Sequence, residues 1–121
     1  MKIAGIGLRA AATLADLQDA LALAGCPRPD ALATLAAKAE KPQIRALAEA
    51  LGIPVLMLEE AEISGISTLT CSPRIKARFG TGSVAEAAAL AAGGTGARLI
   101  CPRVKTQNGL ATAAIAERTA S

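Results

Sequence analysis

The sequence predicts an α/β domain: a three-layer sandwich whose mostly parallel sheet carries an antiparallel C-terminal hairpin. Three observations point there. Short apolar runs alternate with leucine- and alanine-rich stretches at helical spacing, as in βα units that place helices on both faces of a sheet. Cap and turn residues punctuate that alternation where elements should start and stop. The last two strand-like runs have no helix between them and are joined through Asn108-Gly109, a dipeptide suited to a tight hairpin.

Residues 2–6 read as a short buried strand running into Gly5-Ile6-Gly7-Leu8-Arg9-Ala10. Thr13 and Asp16 have the spacing of a capping box, Leu14, Leu17 and Leu21 repeat on one helical face, and Gly25 stands where a C-terminal cap belongs. Cys26-Pro-Arg-Pro-Asp30 is a stiff connector. Residues 31–38 are ambiguous: their composition favours helix, whereas their short length between proline breaks favours strand. Pro42 suits a first helical turn, Ile44, Leu47, Ala48 and Leu51 share a face, and Gly52 closes that helix. Residues 55–58 form an apolar strand, and Glu59-Glu60-Ala61-Glu62 begins a short turn or helix. Ser72-Pro73 opens a basic segment that runs to Phe79 and ends at Gly80. Arg74, Lys76 and Arg78 fall on differing faces of it, as in a solvated basic helix. Ser83 and Glu86 are spaced as a capping box for a helix over residues 83–92, closed by Gly93-Gly94. Residues 98–103 and 110–116 are the hairpin strands.

The composition narrows the function. The 121 residues suit one domain, and 52% are hydrophobic, yet Phe79 is the only aromatic residue. The core is therefore aliphatic, and the abundant alanine lets helices approach closely. No run reaches the ~20 apolar residues of a membrane span, and the N-terminus is too short and glycine-broken for a signal peptide. A soluble cytoplasmic protein is expected. The chain contains no histidine, which excludes Ser-His and Cys-His nucleophilic machinery within it and removes the commonest metal ligand. Cys26, Cys71 and Cys101 lie far apart and match no zinc spacing, so free thiols and no metal site are expected. The net charge of +3 is a mild bias toward anionic partners. With no dense basic run and no aromatic platform, nucleic acid is not an expected partner.

Candidate ligand groups gather at one sheet edge. Gly5-x-Gly7-x-x-Ala10 matches a loose dinucleotide fingerprint after a strand, but it reads first as a tight βα turn, next as an anion or ligand contact, and least as a nucleotide site. Arg9 follows at the carboxyl edge of the first strand, where open α/β sheets bind ligands. Lys38 and Glu40 end the second candidate strand on the same edge. Gly80-Thr81-Gly82-Ser83 precedes a helix N-terminus, whose free N–H groups and dipole favour an anion.

These motifs, in one order, carry a resemblance: "GIGLR", Lys38 before Glu40 and Pro42, "GTGSVAEAAAL", Lys105 and "ATAAIAER". From about Ile3 to Arg118 the chain resembles the cobalamin-biosynthesis CobE family, itself similar to the C-terminal domain of CbiG, the cobalt-precorrin hydrolase. The resemblance implies strand for residues 31–38 and a role in corrin-ring synthesis. It places family motifs on Gly5, Gly7 and Arg9, on Lys38, on Gly80, Thr81, Ser83 and Glu86, and on Lys105 and Thr112. The implied partner is an anionic tetrapyrrole, a precorrin or corrin intermediate, with other corrin-pathway enzymes as further partners and no resident cofactor. Backbone N–H groups with Arg9, Lys38 and Lys105 suit its acetate and propionate arms. Relatives carry an acid where this chain has Ala36, and that loss favours an accessory or carrier role. The alternative is a hydrolase that opens the lactone of a ring-contracted precorrin and releases a two-carbon fragment, with Glu40 or Lys38 assisting a water. A dinucleotide-binding module is a third reading.

Overall fold

Five strands form one sheet in the order β3-β2-β1-β5-β4 in the computed structural model, which describes residues 1–118. The elements run β1 (Lys2–Leu8), α1 (Leu14–Leu23), β2 (Ala31–Leu35), α2 (Ala36–Ala39), α3 (Pro42–Leu51), β3 (Val55–Leu58), α4 (Glu60–Ile63), α5 (Pro73–Phe79), α6 (Val84–Gly93), β4 (Arg98–Lys105) and β5 (Ala111–Glu117). β1 pairs with β2, and β2 with β3, in parallel, whereas β5 is antiparallel to both β1 and β4. Four strands thus share one direction, and β5 alone runs against them. The expected α/β sandwich with its C-terminal hairpin is present, although the pairings divide evenly between parallel and antiparallel.

Strand alternation sends β1 side chains to two cores. Ala4 and Ile6 pack with Leu17 and Leu21 of α1 and with Ile44 and Leu47 of α3. Ile3 turns to the other face, against Ile63 of α4 and Ala87 and Ala88 of α6. The α6 interface is the tighter one. A Cβ on Gly5 would stand 1.8 Å from the carbonyl oxygen of Ala85, so only glycine lets the helix backbone lie this close to the strand.

The caps hold the helices where the sequence places them. Thr13 and Asp16 form both halves of their capping box. Pro42 opens α3, and Gly52 closes it in the left-handed conformation at φ 67°. The ambiguous segment 31–38 is both things in turn. Its first five residues pair with β1 and β3, and the alanines that follow, strong helix formers, turn into α2. Lys38 therefore sits on a helical turn beyond the strand rather than at its end. Among the described residues no helix is long and apolar enough to cross a membrane.

Candidate functional site

A cleft of about 620 Å³ opens at the carboxyl ends of β1 and β2. Five cationic side chains line it, Arg9, Lys38, Arg74, Arg103 and Lys105, and none of its lining residues is acidic. Between them lie apolar groups, chiefly Ile75 and Phe79 of α5 and Val84 at the start of α6. The sheet places its own contributors in one row. Lys105 is paired with Thr112, and Thr112 with Gly7, so β4, β5 and β1 each present a residue at the same level. A Cβ on Gly7 would stand 2.5 Å from Thr112 Oγ1, so glycine there leaves room for the hydroxyl. Beneath, the buried Thr34 hydroxyl donates to the Ile6 carbonyl at 3.2 Å and closes the floor. The Arg9 N–H continues the ladder past β1 by donating to the Leu110 carbonyl at 2.9 Å.

The far walls depend on one buried acid. Glu86, fully buried on α6, accepts from the N–H groups of Leu69 (2.7 Å) and Thr70 (3.2 Å), from the Thr70 hydroxyl (2.6 Å) and from the Arg103 N–H (2.9 Å). Leu69 and Thr70 belong to the loop that leads into α5. Arg103 lies where the β4–β5 register shifts between Cys101 and Val104, so its N–H turns to the carboxylate. Burial works to raise the Glu86 carboxyl, but the hydrogen bonds from Thr70, Arg103 and Leu69 outweigh it, and the group is held below its ordinary value. The capping box expected of Ser83 and Glu86 is therefore one-sided. Ser83 accepts from the Glu86 N–H at 3.3 Å, while the carboxylate is committed to the loop and the bulge instead.

The hairpin rim has its own clamp. Thr106 and Leu110 donate to Asn108 Oδ1, and the Asn108 amide donates to Asp16 Oδ1 at 2.8 Å. Asp16 thus caps α1 and fixes the turn beside the cleft. The Thr13 N–H foremost, and then the Asn108 amide, hold its carboxyl below the ordinary range. A wider hollow of about 710 Å³ beside it contains Asp16, Asp19 and Asn108, but Asp16 and Asn108 are already bonded to each other.

α5 closes the remaining side. None of its residues is buried, and Gly80 ends it at φ 74°. Half-buried Phe79 packs against the core of Ile3, Ile63 and Ala87, and polar groups hold the rest: the Ser72 N–H donates to the Gly82 carbonyl at 2.8 Å, and Arg78 pairs with both Glu60 oxygens, the shorter contact being 2.7 Å. The Arg78 hydrogen bond holds the Glu60 carboxyl below its usual range. The same guanidinium lies 4.5 Å from the centroid of Phe79.

Of the residues singled out from sequence, Gly7, Arg9, Lys38 and Lys105 line the cleft, as does Thr112. Gly5 is beneath α6. Gly80, Thr81, Gly82 and Ser83 do not line it. Gly80 stands against Ser64, the buried Thr81 hydroxyl donates to the Ile66 carbonyl, Gly82 is pressed between Thr68 and Thr70, and Ser83 is buried at the α6 cap. Glu40 lies outside the lining and is paired at 2.6 Å with Arg45, both side chains being mostly exposed. Arg74, expected as one residue of a solvated basic helix, faces the cleft instead. Arg103 and the supporting role of Glu86 were not foreseen. The one signal for Glu86 was an acid flanked by Ala85 and Ala87 on a helix otherwise built to be buried. The three cysteines are free, with Cys26 buried, and burial pushes its thiol up. Among the described residues no group of three or more Cys, Asp or Glu side chains is placed to hold a metal ion.

Comparison with known proteins shows the family. The family model described as "Cobalamin synthesis G C-terminus" matches residues 2–116. The fold is similar to the crystal structure of CobE, a protein from the cobalamin (vitamin B12) biosynthetic pathway, with a TM-score of 0.79 and 32% identity, covering 100% of this chain and 92% of that one. It is similar also to the cobalamin biosynthesis protein chiG from Agrobacterium tumefaciens str. C58, with a TM-score of 0.72 and 30% identity over 99% of this chain and 100% of that one. A cobalamin biosynthesis protein G homolog from Sulfolobus solfataricus shares the fold at a TM-score of 0.67 and 20% identity, and the match spans 95% of this chain but 36% of that longer one. None of the curated proteins matches the chain.

Proposed function

Because the chain belongs to the cobalamin synthesis G C-terminus family, and so to cobalamin biosynthesis, we propose that its cleft holds a carboxylated precorrin or corrin intermediate. One observation carries the reading: five cations surround an apolar surface with no acid among the lining residues. Such a lining suits a ring that is apolar on its faces and fringed with carboxylates, since charge-assisted bonds to arginine and lysine are the stronger kind. Binding for storage or transfer fits better than hydrolysis. The one carboxylate considered for activating a water, Glu40, is engaged with Arg45 away from the cleft, and Glu86 is saturated by its four donors.

A visible-absorption titration with hydrogenobyrinic acid tests the proposal. Saturable binding is expected, with Arg9→Ala and Lys38→Ala each weakening it about tenfold or more, the value of one lost charged hydrogen bond at roughly 1.5–3 kcal/mol. No saturable change with the unmodified protein would remove the reading. Turnover of a lactone-bearing precorrin by the protein alone, abolished by Glu40→Gln, would favour the hydrolase instead.

A further inference from the structure

The cations do not form one patch. Arg9 follows β1 and Lys38 follows β2, whereas Arg103 and Lys105 belong to β4, on the other side of β5. Neighbouring strands lie about 4.8 Å apart, so β1 and β4 are separated by roughly 10 Å and β2 and β4 by roughly 14 Å. The register makes this a separation across the sheet rather than along it, because Lys105, Thr112 and Gly7 are level. Arg74 joins the cleft from α5, and the apolar side chains of Ile75 and Phe79, one helical turn apart on that helix, cover the interval.

From this placement we infer that the cleft is a two-ended clamp. It selects a ligand whose carboxylates project from at least two separated edges of a broad apolar body. Arg9 and Lys38 take one edge, and Arg103 and Lys105 take another. The Ile75 and Phe79 side chains lie against the body between them. A ring with acids on a single edge satisfies one end and leaves the other unpaired, so it gains only part of the binding. The inference rests on the ligand class proposed above and adds to it a requirement on how the charges are distributed.

Two planar rings separate the cases: uroporphyrin I, with carboxylates on every edge, and mesoporphyrin IX, whose two carboxylates share one edge. Titrations would use the unmodified protein, Lys38→Ala, Lys105→Ala, and Lys76→Ala, whose exposed lysine lies outside the lining and controls for net charge. Lys38 and Lys105 are likewise exposed, so the variants should remain folded, and a melting curve confirms it. The expected result is at least tenfold tighter binding of uroporphyrin than of mesoporphyrin. Lys38→Ala and Lys105→Ala should each weaken uroporphyrin about tenfold, only one of them should weaken mesoporphyrin, and Lys76→Ala should change neither. Equal affinity for the two rings, or a Lys105→Ala variant that binds uroporphyrin as well as the unmodified protein does, would overturn the clamp. Either outcome leaves the ligand class standing if hydrogenobyrinic acid still binds. Failure of all three rings to bind would remove the ligand class and the clamp together.

Discussion

Two helices border the cleft on the same face of the sheet, and they are attached by different means. α6 buries six of its ten residues, mostly alanines, and lies against a glycine of β1. α5 fully buries none of its seven and is held by the edge of Phe79 on the core, an ion pair, a loop hydrogen bond and the approach that Glu86 anchors. Small residues make a close, fixed wall because apolar packing is dense and tolerates little displacement. A wall held mainly by polar tethers keeps Ile75 and the open side of Phe79 at the cleft. Alanine is concentrated where the wall is close-packed, and the only aromatic ring sits where core and cleft meet.

The largest effect should come from the residue that crosses this contrast. Glu86 belongs to the rigid helix, yet its carboxylate serves the tethered one. Glu86→Ala removes the acceptor for four donors at once, and buried donors left unsatisfied cost roughly 1–3 kcal/mol each. With some of them reaching water, a loss of about 4 kcal/mol is expected in urea denaturation, at the upper end for one substitution. A loss below about 1 kcal/mol would mean that the loop and the bulge do not depend on α6.

Next comes the close approach itself. Gly5→Ala drives a Cβ into the Ala85 carbonyl, a backbone atom that cannot rotate away. Overpacking costs typically 1–3 kcal/mol, and about 3 kcal/mol is expected here because the helix must move as a unit. Gly25→Ala is the useful contrast. Nothing lies within 4 Å of its Cβ position, so its cost is the left-handed conformation alone. If the two variants melt together, close packing is not what fixes α6.

A smaller effect is expected on the acid limb of stability. The folded-state value of Glu86 lies below its ordinary 4.5, so its contribution is fully present above that value and is lost as pH falls through the lower, folded one. Glu60 is shifted in the same direction from the same ordinary value and acts in the same window, whereas the contribution of Asp16, lowered from 3.8, is lost only at more acid pH. Stability of the unmodified protein should therefore fall on acidification below about pH 4.5, and Glu86→Gln should show a shallower fall from a lower starting point. An unchanged slope would show that the Glu86 charge contributes no differential stability.

Local chemistry made most of the fold legible. Thr13 with Asp16, Pro42, Gly52 and Asn108-Gly109 act within a few residues of themselves, and each does what its type dictates. Residues 31–38 resisted because alanine and leucine serve both states, and pairing with β1 and β3, a long-range event, decides where the strand stops. The site divides in the same way. Arg9 and Lys38 were readable because they follow strands. Arg74, Arg103 and Glu86 were not, since a bulge and a carboxylate reaching 16 or 17 residues along the chain bring them together. The turn Gly80–Ser83 stands outside the cleft lining for a physical reason. Glycines before a capped helix serve close packing as well as anion binding, and Thr81, Gly82 and Ser83 are buried in that packing.

The smallest expected change in stability is also the sharpest test of the contrast. Arg78 and Glu60 are each more than half exposed, so their attraction is screened and offset by the entropy of holding two long side chains. Arg78→Ala should barely move the melting temperature. It should nevertheless speed amide hydrogen exchange in α5 while leaving that of α6 unchanged, because local opening depends on the tether and global unfolding on the buried core. High salt should reproduce the effect in the unmodified protein. A melting temperature lowered as far as that of Gly5→Ala, or exchange quickened in both helices alike, would mean that α5 is part of the core unit and that the two walls of the cleft are not differently built.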